Sequence, residues 1–196
     1  MQAKTHITTT LALGLPLMSL TNELTLVNVG VLAVGSLLPD IDHPSSYLGK
    51  RHKMVSGVTN KAFGHRGITH SLLGFILIGI IVKFIQKQYL TDRIENIVFW
   101  LMLGYLLHLL EDSFSQRGVK WLYPFTKSGS SFGGKFAFYK TGQLSEYLVM
   151  GFMLCLLLME VRLFWLGNLN RLLPGVVADI LKTLDRKSTR LNSSHT

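Results

Sequence analysis

Residues 94–114, IENIVFWLMLGYLLHLLEDSF, form an apolar run that ends in a histidine and two carboxylates. A hydrocarbon core of about 30 Å takes about 20 helical residues to cross, so this run predicts a membrane-spanning helix. His108 and Asp112 are four residues apart and therefore fall on one face of that helix, one turn apart. Ionisable groups beside hydrocarbon are costly unless they face a cavity, a partner or a metal. We therefore expect this pair to face the interior of a bundle.

The rest of the chain alternates between apolar runs and polar connections. Two further runs are long enough to span a membrane, and two shorter ones near the start predict a helical hairpin. These four runs are residues 7–20, 24–38, 71–89 and 144–166. The expected fold is an all-α membrane protein, a bundle of about five helices with a short N-terminal hairpin and three longer spans. Its two long polar loops, 39–67 and 115–143, lie on one side.

Composition supports the membrane class. Of the 196 residues, 48% are apolar and only 16% are charged. The net charge of +9 comes from basic residues between apolar runs and not along one helical face, so we expect no nucleic-acid partner. The loop side carries the larger share of Lys and Arg, which places it in the cytoplasm by the positive-inside rule. The single cysteine, Cys155, excludes an intrachain disulfide.

The last residues, 185–196, look foreign to the protein. Their sequence, DRKSTRLNSSHT, matches the conceptual translation of a common sequencing adapter. We interpret them as read-through and expect a single multi-pass membrane domain at 1–184.

Two other motifs carry ionisable side chains at the ends of apolar runs. LPDIDH at 38–43 holds Asp40 and Asp42, and HRGITHS at 65–71 holds His65 and His70, with Thr69 as the predicted N-cap of the following helix. Glu111 points about a quarter turn away from the His108–Asp112 face and is predicted to lie outside a first ligand shell. Alone, each motif is also compatible with a helix-terminating turn or with contacts to lipid headgroups.

In a bundle of hairpins, six of these side chains reach the same end of the molecule. Imidazoles and carboxylates gathered at one depth predict a metal site in preference to a generic polar cluster, which would mix Asn, Gln and Ser. The six residues are His6, Asp40, His70, His108, Asp112 and Glu146.

The motifs TH at 5–6, LPDIDH at 38–43, HRGITHS at 65–71, HLLED at 108–112 and Glu146 occur in this order over residues 1–165. This set resembles the bacterial LexA-regulated, membrane-bound metal-dependent hydrolase family. The resemblance implies a multi-pass protein of the bacterial inner membrane with a link to the SOS response. It also implies metal-dependent hydrolysis, without indicating the substrate. The charge distribution places the site towards the cytoplasm.

With this resemblance, each candidate residue receives a role. His70, His108, Asp112 and Asp40 are the expected metal ligands, with His6 and His65 next. Asp42 or Glu146 is the expected general base, and Arg66 the expected stabiliser of oxyanion charge. The donor set suits Zn²⁺, or manganese or iron if carboxylates dominate.

The basic rim of a membrane-embedded site suggests a phosphoester or lipid-linked substrate, with membrane lipid as the partner. The alternative is a metal-binding or structural membrane protein without catalysis.

Overall fold

The structure is a computed structural model that describes residues 1–42, 46, 67–89, 95–126 and 137–166. Within these ranges it contains five α-helices and no β-strand, which confirms the predicted all-α bundle. The helices are α1 (Ala3–Leu20), α2 (Leu26–Gly35), α3 (Leu72–Tyr89), α4 (Glu95–Ser113) and α5 (Leu144–Trp165). Two 3-10 turns, Pro39–Asp42 and Ile68–His70, follow α2 and precede α3. The tail predicted at 185–196 lies outside the described residues.

One helix has the length and apolarity of a membrane span by itself. α5 has 22 residues and a mean hydropathy of 2.0, and only 6% of its apolar window is buried within the described part of the chain. The two other predicted long spans do form helices, α3 and α4, but among the described residues only α5 meets both criteria.

The N-terminal hairpin packs against α4. Thr25 caps α2 by accepting a hydrogen bond from the Asn28 amide, which satisfies one of the free N–H groups at the helix start. Met18 of α1, Leu32 of α2 and Trp100 of α4 are fully buried and form one apolar cluster. This packing brings the start of α1 and the end of α2 to the same end of the bundle.

α2 and α4 cross with their backbones in contact, because glycine stands on both sides of the crossing. A Cβ atom on Gly104 would lie 2.3 Å from the Leu32 carbonyl oxygen, and one on Gly35 would lie 2.2 Å from that of Leu101. Small residues of this kind allow close helix approach inside membranes. The approach holds the Ser36 carbonyl oxygen 2.6 Å from His108 Nδ1.

The start of α3 differs from the predicted start. Thr69 was expected to be the N-cap, but it lies inside the Ile68–His70 turn, and the cap is Ser71, whose Oγ accepts from the Gly74 amide at 3.2 Å. The Tyr105 hydroxyl donates to the Thr69 carbonyl at 2.5 Å and ties this turn to α4. His70 is therefore held immediately before the helix, where it is fully buried.

Candidate metal centre

Three imidazoles meet at the end of the bundle where the hairpin closes. His6 comes from α1, His70 from the turn before α3 and His108 from α4, and all three side chains are fully buried. The rings of His6 and His108 are stacked, with centroids 3.7 Å apart and planes 15° from parallel. The Nε2 atoms of His70 and His108 are 3.3 Å apart. The rings thus present nitrogen atoms to a common centre.

Two carboxylates complete this centre. Asp40 Oδ1 lies 3.5 Å from His70 Nε2 and 3.9 Å from His108 Nε2. Asp112 Oδ1 lies 3.6 Å from His6 Nε2, and its Oδ2 lies 3.8 Å from His70 Nε2. The Asp112 side chain is 1% exposed and that of Asp40 is 18% exposed, so Asp40 forms the solvent side of the centre.

These separations fit a shared cation. Two atoms bound to one Zn²⁺ at about 2.0–2.1 Å cannot be more than about 4.2 Å apart, and each of the five distances above is shorter than that. Two groups, His6–Asp40–His108 and His70–His108–Asp112, have all their ligand atoms within 4.8 Å of one another. His6 Nε2 is buried and makes no hydrogen bond within the described part of the chain. A buried ring nitrogen in that state suits a metal ligand.

A second layer of contacts fixes how two of the rings are turned. His6 Nδ1 donates to Glu111 Oε2 at 2.5 Å, and Thr10 Oγ1 donates to Glu111 Oε1 at 2.9 Å. His108 Nδ1 donates to the Ser36 carbonyl oxygen at 2.6 Å. We assign the proton to Nδ1 because its partner is an acceptor in both cases. Nε2 then carries the lone pair, which is the arrangement found in metal-ligating histidines.

The charge state of Asp40 follows from its neighbours. Burial opposes ionisation, but the hydrogen bond from His70 and the nearby imidazoles of His108 and His6 outweigh it and hold the pKa of Asp40 well below its usual range. Asp40 is therefore a carboxylate at neutral pH, as a cation ligand must be.

Five of the six predicted metal ligands come together in this centre; they are His6, Asp40, His70, His108 and Asp112. His65 and the predicted oxyanion stabiliser Arg66 lie outside the described residues, as does the side chain of Asp42. Their predicted roles stay predictions.

Glu146, one of the two predicted general bases, lies near the start of α5 and accepts hydrogen bonds from backbone amides. It belongs to neither group of converging ligand atoms. Its Oε1 accepts from the Gln2 amide at 2.5 Å and its Oε2 accepts from the Gly142 amide at 2.6 Å. The carboxylate therefore links Gln2 to the segment at the start of α5, and each of its oxygens accepts one backbone hydrogen bond.

Glu111 is the residue whose role the sequence did not reveal. Glu111 is predicted to lie outside a first ligand shell, and it is not a member of the converging groups. It orients the His6 ring through the hydrogen bond from His6 Nδ1. The sequence contains one signal for this role. His6 and Thr10 are one helical turn apart on α1 and can therefore share a partner; in the structure both contact the Glu111 carboxylate.

Glu111→Gln is expected to weaken metal binding about 10- to 100-fold while leaving every ligand in place, because it replaces the carboxyl group that accepts from His6 Nδ1 with an amide. Competition with a chromophoric chelator measures the affinity. Glu160→Gln is the matched control, since Glu160 is also a buried carboxylate in a helix but is absent from both groups of converging ligand atoms. Equal affinities for the two variants would contradict the role assigned to Glu111.

Comparison with known proteins places the chain among membrane proteins. The family model described as YdjM inner membrane protein matches residues 1–169. YvsG of Bacillus subtilis is 41% identical over 119 residues, which cover 60% of this chain and 68% of that protein. The inner membrane protein YdjM of Escherichia coli is 44% identical over 91 residues, or 45% of this chain and 44% of that protein.

The inner membrane protein YbcI of Escherichia coli is 31% identical over 124 residues, or 62% of this chain and 66% of that protein. The chain thus spans about two thirds of YvsG and of YbcI and less than half of Escherichia coli YdjM. No solved structure matches the chain.

Proposed function

This chain belongs to the YdjM inner membrane protein family, and we propose that it is a membrane-embedded metal-dependent hydrolase. The observation that carries the proposal is that three imidazoles and two carboxylates supply two overlapping groups of three ligand atoms, each with all its atoms within 4.8 Å of one another. The resemblance to LexA-regulated hydrolases supplies the reaction class, and the SOS link stays a prediction from it.

A single ion is the stoichiometry we propose. Both groups of converging atoms include His108, and its Nε2 has one lone pair, so the two groups are overlapping parts of one site. His6, His70, His108, Asp40 and Asp112 would hold the ion, and the imidazole majority favours Zn²⁺ over manganese or iron.

When bound, such an ion lowers the pKa of a coordinated water towards about 7 and polarises the scissile group. The chain's own residues prepare the site for this chemistry. Glu111 and the Ser36 carbonyl keep the rings of His6 and His108 in the ligating tautomer. Asp42, in the same 3-10 turn as Asp40, is the proposed general base, because both oxygens of Glu146 accept backbone hydrogen bonds. Arg66 is the proposed partner for negative charge on the substrate.

A second candidate, metal binding without turnover, is favoured by the burial of the centre. Four of the five ligand side chains are at most 1% exposed, and only Asp40 reaches the surface of the described part of the chain. Restricted access suits a site that retains an ion as part of the structure.

Metal analysis and turnover, measured on the same preparation, separate the two candidates. The full chain is purified in detergent with Zn²⁺ and assayed with bis(p-nitrophenyl) phosphate, p-nitrophenyl butyrate and phosphatidic acid. We expect one ion per chain and hydrolysis that chelation removes and added Zn²⁺ restores. His70→Ala should lose both properties.

Glu23→Gln serves as the control, because Glu23 is a carboxylate hydrogen-bonded to Asn96 and Trp100 and absent from the converging ligand groups. Stoichiometric metal without hydrolysis of any of these substrates would favour the second candidate. Absence of bound metal in the wild-type protein would overturn both.

A further inference from the structure

An apolar cavity of about 680 Å³ lies beside the metal centre, between α1, α4 and α5. Its volume falls within the range of about 300–1,000 Å³ that is typical of small-molecule sites. Leu13, Leu107, Val149 and Met153 are representative of its walls, which are hydrocarbon or aromatic apart from a few polar groups. Such a lining selects for an apolar ligand.

Two residues lie between the cavity and the metal centre and contact both. Glu111 lines the cavity, and its carboxylate accepts the hydrogen bond from His6. Met1 also lines the cavity, and its amino group lies 2.6 Å from Asp112 Oδ1. The cavity therefore ends one residue away from the ligating side chains.

The other side of the cavity faces the surface that α5 presents outwards. Leu148 and Phe152 of α5 line the cavity and are 65% and 68% exposed among the described residues. Because α5 has the length and apolarity of a membrane span, the medium on that side is lipid. The cavity thus extends from the lipid side of α5 to the residues that contact the ligating side chains.

We propose that this cavity binds one hydrocarbon chain of a lipid substrate and so places the headgroup ester at the metal centre. The inference rests on the proposed hydrolytic function and adds to it the class of substrate and the site of its chain. Phe138 and Tyr139, aromatic residues of the second polar loop, form part of the wall.

The size of the cavity favours a lipid chain over a helix from another protein. A helix is about 10 Å wide, so about 680 Å³ holds only about 9 Å of it, fewer than two turns. A single hydrocarbon chain of a lipid is flexible and much thinner than a helix, so it can fill a narrow space of this volume.

Native mass spectrometry on the delipidated, metal-loaded full chain tests the proposal. Dioleoylphosphatidic acid and its dihexanoyl analogue are the probes, since they share a headgroup and differ in chain length. Val149→Trp and, separately, Leu13→Trp fill the cavity, whereas Leu158→Trp adds the same ring on α5 at a residue that is 60% exposed and outside the lining. Metal content is measured for each protein.

We expect the wild-type protein and Leu158→Trp to bind one dioleoyl lipid at least tenfold more tightly than the dihexanoyl analogue. Both cavity-filling variants should bind the long-chain lipid at least about tenfold more weakly and keep their metal, since exclusion of two methylene groups alone has an effect of that size. Unchanged lipid affinity in a metal-loaded cavity-filling variant would overturn the lipid site and leave the hydrolase proposal standing.

A dimer that these substitutions dissociate would also overturn the lipid site, because it would assign the cavity to a second copy of the chain. Loss of metal from the wild-type protein would instead count against the function on which the inference rests.

Discussion

His108→Ala is expected to abolish stoichiometric metal binding. His108 belongs to both groups of converging ligand atoms, and its Nε2 lies 3.3 Å from that of His70. Removal of a ligand should therefore cost more than the roughly 10- to 100-fold in affinity that follows removal of a ligand's hydrogen-bonding partner. Elemental analysis of the purified full chain, together with chelator competition, measures the loss.

Leu109→Ala is the matched control for that substitution. Leu109 is the next residue of α4 and is also fully buried, but it carries no donor atom. Its truncation should cost about 2–5 kcal/mol of unfolding free energy and leave the metal stoichiometry at the wild-type value. If His108→Ala retained as much metal as Leu109→Ala, the five side chains would not form the proposed site.

Gly104→Ala is expected to damage both the fold and the metal centre, although it touches no ligand. Its Cβ would lie 2.3 Å from the Leu32 carbonyl oxygen and 2.9 Å from the Ser36 amide nitrogen, and backbone atoms cannot move aside as a flexible side chain does. α2 must then separate from α4, which breaks the hydrogen bond between His108 and Ser36. We expect a lower thermal midpoint and at least tenfold weaker metal binding.

Gly30→Ala provides the comparison within α2. A Cβ on Gly30 meets no atom of the described chain within 4 Å, so alanine should stabilise the helix by about 0.5–1 kcal/mol through its higher helix propensity. Thermal unfolding and chelator competition, measured on both variants, test whether the close crossing of α2 and α4 controls the metal centre. Equal behaviour of Gly104→Ala and Gly30→Ala would show that the close crossing does not control the site.

The helices were predictable because each is a long apolar run with a polar end. The run at 144–166 became α5 (Leu144–Trp165), and the run at 94–114 became α4 (Glu95–Ser113). The pairing of His108 with Asp112 followed from helical spacing alone. These features depend on residues that are close in sequence, which is why local pattern was sufficient.

The features that the sequence did not reveal depend on contacts between distant segments. Nothing near Glu111 indicates that it contacts His6, because the two are 105 positions apart. The sequence pattern predicts Thr69 as the N-cap, although serine is by propensity the better capping residue. The Tyr105 hydroxyl holds the preceding turn through the Thr69 carbonyl, and Ser71 takes the cap position. Glu146 had the right charge for a base, but only the fold shows both of its oxygens hydrogen-bonded to backbone amides.

The converging side chains come from four separate parts of the chain, namely α1, the Pro39–Asp42 turn, the Ile68–His70 turn and α4. An ion bound there would act as a cross-link that exists only in the folded chain, so its binding energy would add directly to folding stability. Each tenfold rise in free ion above the dissociation constant would then add about 1.4 kcal/mol. The amount of folded protein in the cell would accordingly rise and fall with the supply of that ion.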